Sequence, residues 1–93
     1  MEYTVGQVVY SKSGHDKGLP FIITEADGEF IYLVDGKNRT IDKPKKKKNK
    51  HVQFTNYFDA DIKTKIENGE YILDADFVKA IKRFSNQKQS TVN

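Results

Sequence analysis

Hydrophobic and polar positions alternate along the first half of the chain. Along the second half the apolar positions recur every three to four residues. Alternation is the period of a half-buried strand, and the longer spacing marks one face of a helix. Val8 to Lys12 opens the strand pattern, with Val8 and Tyr10 on one side and Val9 and Ser11 on the other. Leu19 to Glu25 is expected as a second strand centred on Phe21, Ile22 and Ile23. Pro20 belongs near its start, because proline cannot donate to a ladder. Asp27-Gly28 reads as a tight turn into a third strand, Glu29 to Val34, and Asp35-Gly36 repeats that signal. It leads to a short fourth strand around Asn38 to Ile41. Pro44 then interrupts the pattern, and Lys45 to Lys48 have no apolar partner. Residues 42–50 are therefore expected as a solvated basic loop whose charges contribute little to stability. His51 to Thr55 resumes the alternation as a fifth strand.

Phe58, Ile62 and Ile66 stand four apart and predict a first helix, with Asp59 or Asp61 to cap it and Gly69 to end it. Asp74 opens a second helix. Phe77, Ala80, Ile81 and Phe84 make its apolar stripe, and the acids near its start and bases near its end suit the helix dipole. Capping is the expected work of Asp59, Asp61, Asp74 and Asp76. The expected fold is mostly β: a small five-stranded barrel over residues 1–56, a helical hairpin over 57–84 packed on it, and a disordered polar tail over 85–93, in a single domain. Tyr10, Phe21, Phe30, Tyr32, Phe54 and Phe58 are expected mainly in the core. Alternation leaves Phe30, Tyr32 and Val34 opposite Ile31 and Leu33, so one of these faces is wetter, and Tyr32 is the aromatic best suited to stack on a base.

Composition narrows the chemistry. The 93 residues contain no cysteine, so disulfides, thiolate metal sites and cysteine nucleophiles are excluded. The two histidines, His15 and His51, show no metal-ligand spacing, and no metal or other cofactor is expected. No nucleophile stands with a base, and no phosphate-binding or dinucleotide fingerprint occurs, so no enzyme and no small-molecule substrate is expected. The longest unbroken apolar run is Phe30 to Val34, too short for a membrane span, and the first residues lack a leader pattern. A cytoplasmic location is expected.

Net charge is only +3, yet it is unevenly placed. Between Lys37 and Lys50 stand Lys37, Arg39, Lys43, Lys45, Lys46, Lys47, Lys48 and Lys50 against a single acid, Asp42. That window carries +7 and leaves −4 for the remainder, a concentration that attracts a polyanion. Upstream, Gly14 and Gly18 bracket a polar loop. Glycines at that spacing let backbone N–H groups turn outward as an anion nest, with Lys12 and Lys17 on its rim.

Gly6-x-Val8-Val9 followed by Gly14-x-x-x-Gly18 resembles the KOW motif, the RNA-binding element of several ribosomal proteins and transcription elongation factors. Val34-Asp35-Gly36, the basic segment after it, Lys50-His51-Val52 and Thr55 extend the similarity over residues 4–84. The chain looks like the small bacterial KOW domain-containing RNA-binding proteins, which are similar to KOW-type large-subunit ribosomal proteins of archaea and eukaryotes. The resemblance implies an SH3-like barrel and places the loop Ser13 to Gly18 close to RNA. The candidate RNA-binding set is then Lys12, Ser13, Gly14, His15, Lys17, Gly18, Lys37, Arg39, Lys43, Lys45, Lys46, Lys47, Lys48, Lys50 and His51. The expected partner is structured RNA, ribosomal RNA first, and with it the ribosome. Two rivals stand beside this reading: a protein-interaction module on an SH3-like barrel, and a factor acting transiently in translation or transcription.

Overall fold

The computed structural model of the chain describes residues 3–90. Strands β1 (Gln7–Ser11), β2 (Pro20–Asp27), β3 (Phe30–Val34) and β4 (Lys45–Lys48) are followed by a 3-10 turn (Asn49–His51), strand β5 (Val52–Phe58) and helices α1 (Ala60–Glu67) and α2 (Asp74–Ser90). All pairings are antiparallel, and the strand order is β4-β3-β2-β1-β5. This is the order of an SH3-like barrel, with the 3-10 turn carrying the chain from one edge of the sheet to the other.

The three central strands are apolar on both faces. One face buries Val9, Phe21, Ile23, Ile31, Leu33 and Val52 as the barrel interior. Tyr3 and Phe54 stack over that cluster with ring centres 4.2 Å apart. The other face presents Val8, Ile22 and Val34, which pack under Ile62, Phe77, Ala80 and Phe84 of the helices. A bulge after Ile23 in β2 and another irregularity between Gln7 and Val9 on the β1–β5 pair bend the sheet. Thr55 stabilises the second, its hydroxyl donating to the Val8 carbonyl at 2.7 Å.

The helical hairpin is held by a buried acid. Asp59 is 2% exposed and caps α1 by accepting the Ile62 N–H at 3.1 Å. Both of its oxygens also accept from the Arg83 guanidinium on α2, each at 2.9 Å. One carboxylate therefore fixes the start of one helix and its distance from the next. At the start of α2, Asp76 accepts the Leu73 N–H at 2.9 Å, and Asp74 accepts the Ile41 N–H at 2.8 Å. Asp74 thereby ties the β3–β4 connection to the helix.

Several expected boundaries move. Asn38 to Ile41 is not a strand. Asp35 accepts the N–H groups of Lys37 and Arg39, both at 2.9 Å, so the segment closes into a turn with only a Thr40–Lys43 bridge beyond it. The fourth strand is the lysine run itself, and residues 42–50 are not a single loop. The fifth strand starts at Val52 rather than His51 and runs on to Phe58, so the barrel ends past residue 56. Phe58 is 47% exposed on that strand and is not a helix position. The polar segment after Phe84 continues α2 as far as Ser90; the last three residues of the expected tail lie outside those described.

Gly36 has φ +84, and a Cβ there would collide with the Asp74 carbonyl and lie 2.8 Å from Val78 Cγ2. Gly36→Ala is expected to cost about 2–4 kcal/mol in chemical denaturation. Gly28→Ala, at φ +61 in open space, is expected to cost only about 1–2 kcal/mol. Burial alone would raise the Asp59 carboxyl, but the Arg83 and Ile62 hydrogen bonds outweigh it and hold it below the ordinary carboxylate value. The unfolded chain then binds more protons than the folded one between the two values. Stability from Asp59 is complete above about pH 4 and is lost as pH falls through the folded value. Asp59→Asn, which keeps a capping oxygen, is expected to flatten the acid limb of a stability–pH profile.

Candidate nucleic-acid interface

Four consecutive lysines form a strand because β3 supplies the partner. Lys45 pairs opposite Leu33, Lys46 opposite Tyr32, Lys47 opposite Ile31 and Lys48 opposite Phe30. Residues directly opposite share a face of the sheet. The run therefore splits: Lys45 and Lys47 lie on the barrel side with Leu33 and Ile31, while Lys46 and Lys48 lie outside with Tyr32 and Phe30.

Lys47 is 8% exposed, and its ammonium is fully used. It donates to Ser11 Oγ at 2.6 Å, to the Ser13 carbonyl at 2.9 Å and to Asp16 Oδ1 at 3.3 Å. Three donors meet three acceptors, which is what a buried ammonium requires. Burial would raise the Asp16 carboxyl, yet the Ser11 hydrogen bond and the Lys47 ammonium outweigh that and hold it low. Lys45 approaches the same carboxylate at 3.9 Å. Edge strand β4 is thus fastened to the β1–β2 loop through side chains, and Lys47 is withdrawn from any surface role.

The β1–β2 loop is also less open than its glycines suggest. Gly14 and Gly18 both take positive φ. The amides of Lys17, Gly18 and Leu19, however, donate to the carbonyls of Gly14, Ser11 and Asp16 at 3.2, 2.8 and 3.0 Å. Those three groups close the loop on itself and are not presented as an anion nest. Asp16 faces inward, so the loop's outer surface is left to Ser13, His15 and Lys17, all exposed.

Acids from distant segments neutralise part of the lysine run: Asp16 for Lys45 and Lys47, and Glu29 at 3.7 Å for Lys48. Lys12, Lys17, Lys37, Arg39, Lys43, Lys46 and Lys50 have no carboxylate partner among the described residues. The fold brings Lys12 and Lys50 together and sets Arg39 and Lys46 at separate sites. The Lys12 N–H donates to the His51 carbonyl at 2.9 Å, and Lys12 and Lys50 line one open groove along β5 with Tyr3 and Phe54. Gly14, His15, Arg39 and Lys45 line a second, of about 300 Å³. Lys46 lies over the Phe30 ring at 4.5 Å and beside Tyr32 at 6.0 Å, so a cation and two half-buried aromatic rings share the outer sheet face. Lys17, Gly18 and Lys43 line neither groove. Among the described residues no cluster of acids and histidines is arranged to hold a metal ion.

The expectation that Asp42 alone opposes the basic segment is corrected by Asp16 and Glu29. No local pattern signals them, because each reaches its lysine across the sheet. The pairing of Lys46 with Tyr32 likewise depends on register. The chain matches no protein-family profile and no curated protein sequence.

The four lysines are expected to behave differently under substitution. Lys47→Gln removes the charge that Asp16 faces and is expected to cost about 1–3 kcal/mol in urea denaturation. Lys46→Gln, losing an exposed cation over Phe30, is expected to cost no more than about 1 kcal/mol.

Proposed function

We propose that this protein binds RNA by gripping the phosphate backbone of a structured RNA. The support comes first from charge that the fold leaves unanswered. Lys12, Lys46, Lys50 and Arg39 stand around β4, the 3-10 turn and the adjoining loops with no acidic partner among the described residues. Lys12 and Lys50 share one groove, and two cations side by side without an acid suit a phosphate better than mere solubility requires. The outer-face pair of Phe30 and Tyr32 beside Lys46 adds a surface on which an unpaired base can stack. The resemblance to KOW-type proteins favours ribosomal RNA as the target, and a chain without cysteine fits the reducing cytoplasm. Among the described residues no helix is long and apolar enough to cross a membrane.

The cationic set is almost all lysine. Lysine acts as a point charge, whereas arginine reads planar groups in bidentate fashion. Backbone contact with weak base discrimination follows from that composition. A protein-interaction role has one observation in its favour: Tyr71 and Leu73 in the α1–α2 connection are exposed.

Salt separates the two readings. With about six phosphate contacts, affinity for a structured ribosomal RNA fragment is expected to fall on the order of a thousandfold between about 50 and 200 mM salt. Triple replacement of Lys12, Lys46 and Lys50 by Gln should shallow that slope by about three contacts. An affinity insensitive to salt would refute the proposal.

A further inference from the structure

Beside the basic surface lies a groove that phosphate contact does not explain. It encloses about 380 Å³ where the β1–β2 loop, the β3–β4 turn and α2 meet. That volume falls within the range of small-ligand sites, roughly 300–1,000 Å³. Leu19, Pro20, Val78 and Ile81 supply apolar walls, and Lys37 and Lys82 stand on the rim. Leu19 is 43% exposed.

Asn38 also lines this groove, and its carboxamide has no hydrogen-bond partner among the described residues. Asp35 is the groove's one acid, and one of its oxygens is already occupied by the amides of Lys37 and Arg39. Leu19 and Asn38 also line the groove that holds His15, Asp16, Arg39 and Lys45, so the two grooves are neighbours. An apolar slot with a free amide therefore lies beside a slot that holds Arg39, where Asp16 pairs with Lys45 and leaves the guanidinium as the unpaired charge.

We infer that this double groove receives one unpaired nucleotide of the bound RNA, an inference that rests on the RNA-binding reading. The base lies between the aliphatic walls, where Asn38 can both donate to and accept from its edge. The adjoining phosphate meets Arg39, the cation of that slot with no carboxylate partner among the described residues. A paired nucleotide does not fit this chemistry: its faces are stacked and its edge is occupied, so aliphatic walls offer it nothing. A flipped or bulged one loses little by leaving the stack and gains an apolar surface. The cations on both sides favour a nucleotide over a basic peptide.

The test compares two RNA hairpins with the same stem and the same compact tetraloop, one with a single bulged nucleotide in the stem and one with the stem fully paired, binding the full chain at fixed salt. The bulged hairpin is expected to bind roughly tenfold more tightly. Leu19→Ser and Asn38→Ala, both uncharged changes at exposed positions, should each abolish most of that preference while the paired hairpin binds them as it binds the unaltered protein. Equal binding of the two hairpins would overturn the groove assignment and leave the RNA reading standing. So would a preference that survives both substitutions. If neither hairpin binds, the RNA reading falls, and the groove assignment with it. Displacement of the bulged hairpin's preference by an acidic leucine-containing peptide, with paired binding unchanged, would reassign the groove to a protein ligand.

Discussion

The central strands of this protein have no solvent face to spare. Val8 and Val9, Ile22 and Ile23, and Leu33 and Val34 are neighbours in sequence that point to opposite sides of one sheet, and all are buried. A strand of this kind needs cover on both sides. Curling the sheet supplies one cover, and the bulges in β2 and on the β1–β5 pair permit that curl. The helical hairpin supplies the other. Asp59 then sets the hairpin's geometry, since its carboxylate serves as helix cap and guanidinium partner together.

Closing the curled sheet creates an electrostatic problem at its edge. Strand β4 is made of four lysines, and alternation must turn two of them inward. The fold meets this with Asp16 and Ser11, which complete the shell of Lys47. The outward pair settles against Phe30, Tyr32 and Glu29. An edge strand lined with lysine also resists pairing with a second chain. The same four residues thus serve the architecture and the surface, each according to its parity.

The division has a consequence for where binding energy resides. Charge that is spent inside the protein cannot release counterions from a nucleic acid. The unanswered cations lie on the flanking loops, at Lys12, Lys37, Arg39 and Lys50, more than within the lysine run. The Ser13 to Gly18 loop is organised for the fold as well: three of its amides close it, and Asp16 anchors β4. Its outer side chains, rather than its backbone, are what it offers a ligand.

Much of the architecture was legible because it rests on local rules. Asp27-Gly28 joins two strands, Asp59 caps α1, Gly69 at φ +67 ends it, and the Phe77 to Phe84 stripe faces the sheet. The extension of α2 beyond Phe84 was not legible, because its polar residues carry no apolar period. The lysine strand was unreadable for a different reason: no lysine has an apolar alternation to reveal it, and its partners come from β3 and from residues up to 36 positions away. By itself the chain of residues determined the strands with two apolar faces, the turns between them and the surplus of positive charge. The tertiary structure alone decided which charges stay free, because only folding brings Asp16 to Lys47 and Glu29 to Lys48.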